Sequence, residues 1–319
     1  LLKLSILPPK RKGGALPEEK GTLMSVAYAH SLSESLYDPL PPGLFQLKWD
    51  WDPTLIGFVI MGYLYFKGFR AFRGKAPVRP WQILCFCLGL GINILALSPP
   101  IDPLSDRLFF MHMLQHLMII YLGVPLMLFG VPFYVIMRGL SPGMRKRILL
   151  PALRSRWLRR THKMWLFPLV ALFLFEGNYW FWHIPRFYNW ALLHDGVHLL
   201  EHFMMAITAM YLWRSIIDPY PLKSPLSMGV RLLFLGIIMI LDSILAAALS
   251  FSTEVWYAYE GIPMPTWWAL RWSHLEDQQL GGLLMWVPGG ALLFLSMTVC
   301  FFVWAHRERL KDPYMQTQS

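Results

Sequence analysis

Two pairs of histidines stand four residues apart in this chain, His112 with His116 and His198 with His202. On a helix a four-residue step returns to the same face one turn further on, so each pair can offer two imidazole nitrogens to one ion. Two such helices presenting their pairs at similar depth would make a four-nitrogen site, or two sites close enough for an ion to pass between them. His194 extends the second pair by another four-residue step if the helix already continues there. Imidazole suits copper, zinc, iron and nickel alike, whereas thioether favours Cu(I). Met111, Met113 and Met118 flank the first pair, and Met204, Met205 and Met210 follow the second, which favours copper. Methionine is also an ordinary gap-filling residue, so only a minority of these six are expected to be ligands. Ligating imidazoles usually donate their second ring nitrogen to a carboxylate or amide. Glu176, Glu201, Asp242 and Gln115 can supply such partners, with Asp242 equally readable as a buried link between helices. Cys85 and Cys87 lie two apart, so they face different directions on a helix and read as packing residues.

The elements that must position these groups are membrane spans. Of 319 residues, 55% are apolar and only 15% charged, with a mean hydropathy of +0.42, which argues against a soluble fold. Fifteen Trp and 25 Pro suit a multi-span bundle, and three cysteines cannot build a disulfide scaffold. A hydrocarbon core needs about 20 apolar helical residues. Seven runs qualify, at about Pro53 to Phe69, Trp81 to Leu97, Leu108 to Met137, Trp165 to Trp182, His198 to Ile217, Val230 to Ser250 and Leu280 to Ala305. The third is long enough to tilt, or to kink at Pro125 and Pro132.

The net charge of +10 sorts by loop rather than pointing to nucleic acid. Lys67, Arg70, Arg73, Lys75 and Arg79 follow the first run, and nine basic residues from Arg138 to Lys163 follow the third. Arg214, Lys223 and Arg231 follow the fifth, and Arg307, Arg309 and Lys311 the seventh, whereas the three alternate loops hold only Arg107, Arg186 and Arg271. The positive-inside rule then predicts an all-α bundle of seven transmembrane helices with its N-terminus outside and its C-terminus cytoplasmic. Residues 1–50 read as a flexible outer tail, 51–306 as the membrane domain and 307–319 as a cytoplasmic tail. Because the chain opens at Leu1, Met24 is an alternative start. On this topology most of the ten histidines fall at or near the outer surface. His183 or His274 taken alone reads equally as a ligand or as a hydrogen-bonded packing residue. The aromatic loop containing Trp256, Tyr257, Tyr259, Trp267, Trp268 and Trp272 should cap the site.

The stretch Asp277-Gln278-Gln279-Leu280-Gly281-Gly282, followed by Met285-Trp286-Val287-Pro288-Gly289-Gly290, resembles the CtaG family of polytopic membrane proteins involved in cytochrome c oxidase assembly. Met111 to His116, His198 to His202 and Trp213 to Asp218 share the resemblance, which extends from about Trp51 to His306. It implies a non-enzymatic factor needed to make active haem-copper oxidase, handling copper at the outer face. The implied setting is the bacterial inner membrane, with lipid around the protein and oxidase subunits and an extracytoplasmic copper carrier as partners. The positions that match are His112, His116, His198, His202 and Asp277. Chemically, Asp277 is either an entry ligand or a helix cap. Gly281, Gly282, Gly289 and Gly290 should let the last helix pack closely, and Pro288 should kink it. The competing reading is a haem-b electron-transfer protein, since histidines on facing helices also hold haem. A di-iron oxidase would call for more histidines and for adjacent ones.

Overall fold

In the computed structural model, residues 54–72, 78–218 and 223–310 are described, and among them there are helices and turns but no strand. The predicted tail over residues 1–50 and the chain beyond 310 lie outside the described residues, as do Arg73 and Lys75. Nine principal helices follow in order: α1 Thr54–Ala71, α2 Pro80–Ala96, α3 Phe109–Phe129, α4 Pro132–Gly139, α5 Arg156–Trp165, α6 Pro168–His183, α7 Asp195–Ile216, α8 Met228–Ser250 and α9 His274–Arg309. Helices α3, α8 and α9 are each long and apolar enough to cross a membrane, and α5 with α6 passes the same test as a pair bent by 81°. The protein is an all-helical membrane protein.

Proline and local hydrogen bonding set the helix boundaries. Pro80, Pro132 and Pro168 each occupy a first helical position, where a missing N–H costs nothing. The predicted third run is divided. Helix α3 ends at Phe129, and Val131 adopts a left-handed conformation, φ 57°, before Pro132 restarts the chain as α4. A β-branched residue in that region is strained, and the residue preceding proline is itself disfavoured from helix. Pro125, by contrast, is absorbed at the start of the turn after a π-helical segment, Met118–Gly123, within α3. Pro288 is accommodated in the same way. The helix widens to a π-turn over Met285–Gly289 and carries on to Arg309 as one 36-residue element.

Helix α3 is the centre of the bundle. It packs on α2, α7 and α9, while α8 supports α9 and α6 supports α7. Its wider turn is tied down by Trp213 on α7, whose indole Nε1 donates to the Ile120 carbonyl at 2.8 Å. The ends of α7, α8 and α9 that carry Arg214, Arg231 and Arg307 meet at a buried guanidinium. Arg231 donates to the Ile216 and Leu226 carbonyls and, at 2.7 Å, to Asp218, which Arg307 of α9 approaches to 3.5 Å. Partial burial disfavours the charged Asp218 carboxylate, but hydrogen bonds from Arg231 and the Ser224 N–H, with the two guanidinium charges, hold it below the usual carboxylate range.

Candidate metal centre

Helix α3 presents His112 and His116 one turn apart, and α7 presents His198 and His202 with Glu201 between them. Packing of α7 against α3 brings all five side chains together. The His112 and His116 Nε2 atoms are 3.1 Å apart. Nitrogens bound at about 2.0–2.1 Å to one tetrahedral ion would stand about 3.3 Å apart, so this spacing suits a shared ligand pair. Glu201 Oε1 lies 3.7 Å from His112 Nε2 and 3.5 Å from His116 Nε2. Ring centroids of His198 and His202 are 4.3 Å apart, and those of His112 and His198 5.1 Å. The ligand atoms of His112, His198 and His202 form one group within 4.8 Å, and those of His112, His116 and Glu201 form a second. His112 belongs to both.

Both Glu201 oxygens and His116 Nδ1 are buried without a hydrogen-bond partner among the described residues. Burying a carboxylate beside imidazoles, with no donor to satisfy it, is costly unless a cation completes the arrangement. Access is graded from one end. Side-chain exposure falls from 38% at Asp106, which stands 3.9 Å from His198 Nδ1, to 15% at His198, 1% at His112 and nil at Glu201. The aromatic loop closes the rest of that end. Tyr257 stacks on Phe109 with centroids 4.8 Å apart, Tyr188 lies over His112 at 5.0 Å, and the Tyr188 and Tyr259 hydroxyls share a 2.8 Å hydrogen bond. Tyr259 also donates to the Ser105 carbonyl at 3.0 Å.

The remaining predicted residues are placed elsewhere. His194 precedes the first residue of α7 and is exposed, its Nδ1 3.0 Å from the Trp190 carbonyl. Met111 packs against the buried Leu104 and Leu108, a small apolar group that Met264 and Trp268 also cover. Met113 is buried, with its sulfur 3.4 Å from His183 Nε2. Asp242 accepts a hydrogen bond from Tyr121, and Glu176 lies in the same buried carboxylate–tyrosine group. Gln115 donates to the Ala96 carbonyl and to Asp102, fixing the connection ahead of α3 rather than an imidazole.

Asp277 caps a helix, but not its own. The N-terminus of α9 is closed by Ser273 and Glu276 in a reciprocal capping box, which leaves Asp277 free to reach across. Its Oδ2 accepts from the Phe109 N–H at the start of α3, at 2.7 Å and full burial. The two glutamines that follow hold the aromatic loop. Gln278 accepts from Trp256 N–H and donates to the Glu254 carbonyl, and Gln279 donates to the Ser252 carbonyl. The Asp-Gln-Gln run thus fixes the start of α3 and the lid over His112, and Gly281 lets α9 close on both. A Cβ there would stand 2.4 Å from the Phe109 ring. Asp106, Tyr188 and His183 are the site neighbours least visible in the sequence, since none carries a helical spacing that links it to the pairs.

Histidines from two helices of a membrane bundle, with one buried carboxylate among them, thus bring two groups of ligand atoms together at one end of the protein. The family model described as cytochrome c oxidase caa3 assembly factor (Caa3_CtaG) matches residues 63–307, more than three quarters of the chain, and the protein belongs to that family. Comparison with curated proteins and with solved structures returns no match.

Proposed function

We propose that this assembly factor holds Cu(I) as cargo among His112, His116, His198 and His202 and delivers it, at the outer face of the membrane, to a haem-copper cytochrome c oxidase under construction. The observation that carries the reading is the meeting of two ligand groups at His112, one with His198 and His202 and the other with His116 and Glu201, a fully buried carboxylate with no hydrogen-bond donor among the described residues. Glu201 balances the charge of a bound cation, and the sharing of His112 by two ligand groups lets an ion move between them one ligand at a time. Asp106 and His198, the most exposed members, meet the cargo first and release it last. No bond of a substrate is made or broken, so the protein acts as a carrier and not as an enzyme.

The membrane frame for this reading has α1, α2, α3, α6, α7, α8 and α9 as seven spans. Helices of 17 to 23 residues, such as α2 and α8, rise about 26–35 Å, which suits a bilayer core. The basic connections place the C-terminus in the cytoplasm and the N-terminus outside, in a bacterial inner membrane. The entry end of the cluster then opens outward, towards oxidase subunits and an extracytoplasmic copper carrier. Haem fits the cluster less well, because the four rings pack directly on one another and leave no plane for a macrocycle between the two pairs.

The test is made on the oxidase. In cells lacking this protein and complemented with the parent or with all four histidines changed to Ala, the copper-to-haem ratio of the purified oxidase is measured. The variant should yield copper-deficient oxidase. Full copper in oxidase from cells producing the stably inserted variant would overturn the proposal.

A further inference from the structure

His183, at the last position of α6, is 3% exposed and points at a sulfur. Its Nδ1 lies 2.7 Å from the Tyr179 carbonyl. A carbonyl oxygen can only accept, so Nδ1 carries the ring proton. In a neutral imidazole the proton is then missing from Nε2, which faces Met113 Sδ at 3.4 Å. A thioether has no proton to offer. The contact therefore sets one lone pair against another, with nothing between them. A protonated ring would remove the conflict, but at this depth it would need an anion, and no carboxylate forms an ion pair with it among the described residues. Ordinary packing accounts for a buried methionine but not for a buried imidazole nitrogen aimed at its sulfur.

A soft cation resolves the contact. One nitrogen and one sulfur bound to the same tetrahedral ion at about 2.0 and 2.3 Å would stand about 3.5 Å apart. The surroundings are consistent with an atom-sized occupant. A cavity of about 10 Å³, roughly one water-sized sphere, lies on the Met113 side of the pair, lined by Met113, His116, Tyr179 and Met285 among others but not by His183 itself. Met285 opens the π-turn of α9, the kind of helical irregularity often found at functional sites. The His183 ring lies against the Tyr179 ring, with centroids 4.7 Å apart, and its main chain is fixed by Tyr257, which donates to the His183 carbonyl. The His116 ring stands 6.4 Å from it, so the pair adjoins the histidine cluster.

We propose that His183 Nε2 and Met113 Sδ form a second, thioether-containing Cu(I) site next to the histidine cluster, with Met285 lining the cavity beside it. The inference rests on the copper reading of that cluster and adds to it a soft ligand, which selects Cu(I) over Zn(II) and marks an inner station for the same cargo. The site is bridged to the first through His116, which borders both.

The experiment is X-ray absorption at the copper edge, together with copper stoichiometry, on detergent-purified full-length protein loaded with Cu(I). It compares the parent, Met113→Leu and His183→Gln. Leucine nearly conserves the volume of methionine, and thermal unfolding checks that each variant is folded. The parent should show a sulfur neighbour to copper, and each variant should lose that signal together with one copper equivalent while keeping the nitrogen-bound remainder. Copper bound by nitrogen alone in the parent, or a sulfur signal unchanged in folded Met113→Leu, would overturn this site and leave the histidine cluster standing. A folded parent that takes up no copper would contradict both.

Discussion

Cu(I) affinity is expected to fall by more than about 100-fold when His112 alone is replaced by Ala, exceeding the 10- to 100-fold typical of changes behind the ligands. His112 is the one side chain common to both ligand groups, with Nε2 3.1 Å from that of His116 and 3.7 Å from Glu201. Its removal leaves a pair of imidazoles on α7 and a single imidazole with a carboxylate between α3 and α7, neither a complete set. His198→Ala should act differently. His198 stands at the exposed end beside Asp106. Its loss is expected to slow loading and release more than it weakens the loaded state, because His112, His116, His202 and Glu201 remain. Competition with a Cu(I) chelator gives the affinities, and stopped-flow transfer to the same chelator gives the rates. Equal affinity in the parent and in folded His112→Ala would refute the shared-ligand arrangement.

A large stability effect is expected where α9 is seated, at Gly282. A Cβ there would lie 2.8 Å from the Ser250 backbone nitrogen and 3.0 Å from the Ala246 carbonyl oxygen, both main-chain atoms of α8 that no side-chain rotation can move aside. Gly282→Val should push α9 away from α8 and carry Asp277, Gln278 and Gln279 with it, loosening the start of α3 and the lid. Overpacking typically costs about 1–3 kcal/mol, and a branched side chain against backbone should reach or exceed the upper end. Gly290→Ala is the matched control. Its Cβ would meet nothing within 4 Å, and alanine favours helix over glycine, so that variant should be as stable as the parent or slightly more so. Thermal unfolding in detergent separates the two. A Gly282→Val protein as stable as the parent would mean that α8 and α9 are not in contact through this face.

The two histidine pairs were legible because a four-residue step is a local property of any helix, and α3 and α7 form where apolar runs of spanning length predict them. Their meeting was not legible, since it depends on which helices pack on which. Asp277 shows the limit most clearly. An aspartate just inside a helix start reads as that helix's own cap, but Ser273 and Glu276 had already satisfied those N–H groups, and Asp277 spends its oxygen on Phe109, 168 positions earlier in the chain. The four glycines of the last helix looked equivalent in sequence. Only Gly281 and Gly282 lie at a close approach, whereas the position of Gly290 is open. Pro288 falls inside a π-turn, which the pattern of apolar residues does not announce, and the helix continues through it to Arg309. His183 could have gone either way, and its geometry against Met113 was needed to make it a ligand candidate.

Copper binding by the paired histidines is tested by copper analysis and an absorption spectrum on protein loaded with Cu(I) under reducing conditions, beside a variant with His112, His116, His198 and His202 all changed to Ala. The parent should hold stoichiometric copper, the folded variant at most the single equivalent held by His183 and Met113, and neither should show a haem band. Equal copper in both proteins, or none in either, would contradict that binding and leave the assembly role to rest on protein contacts.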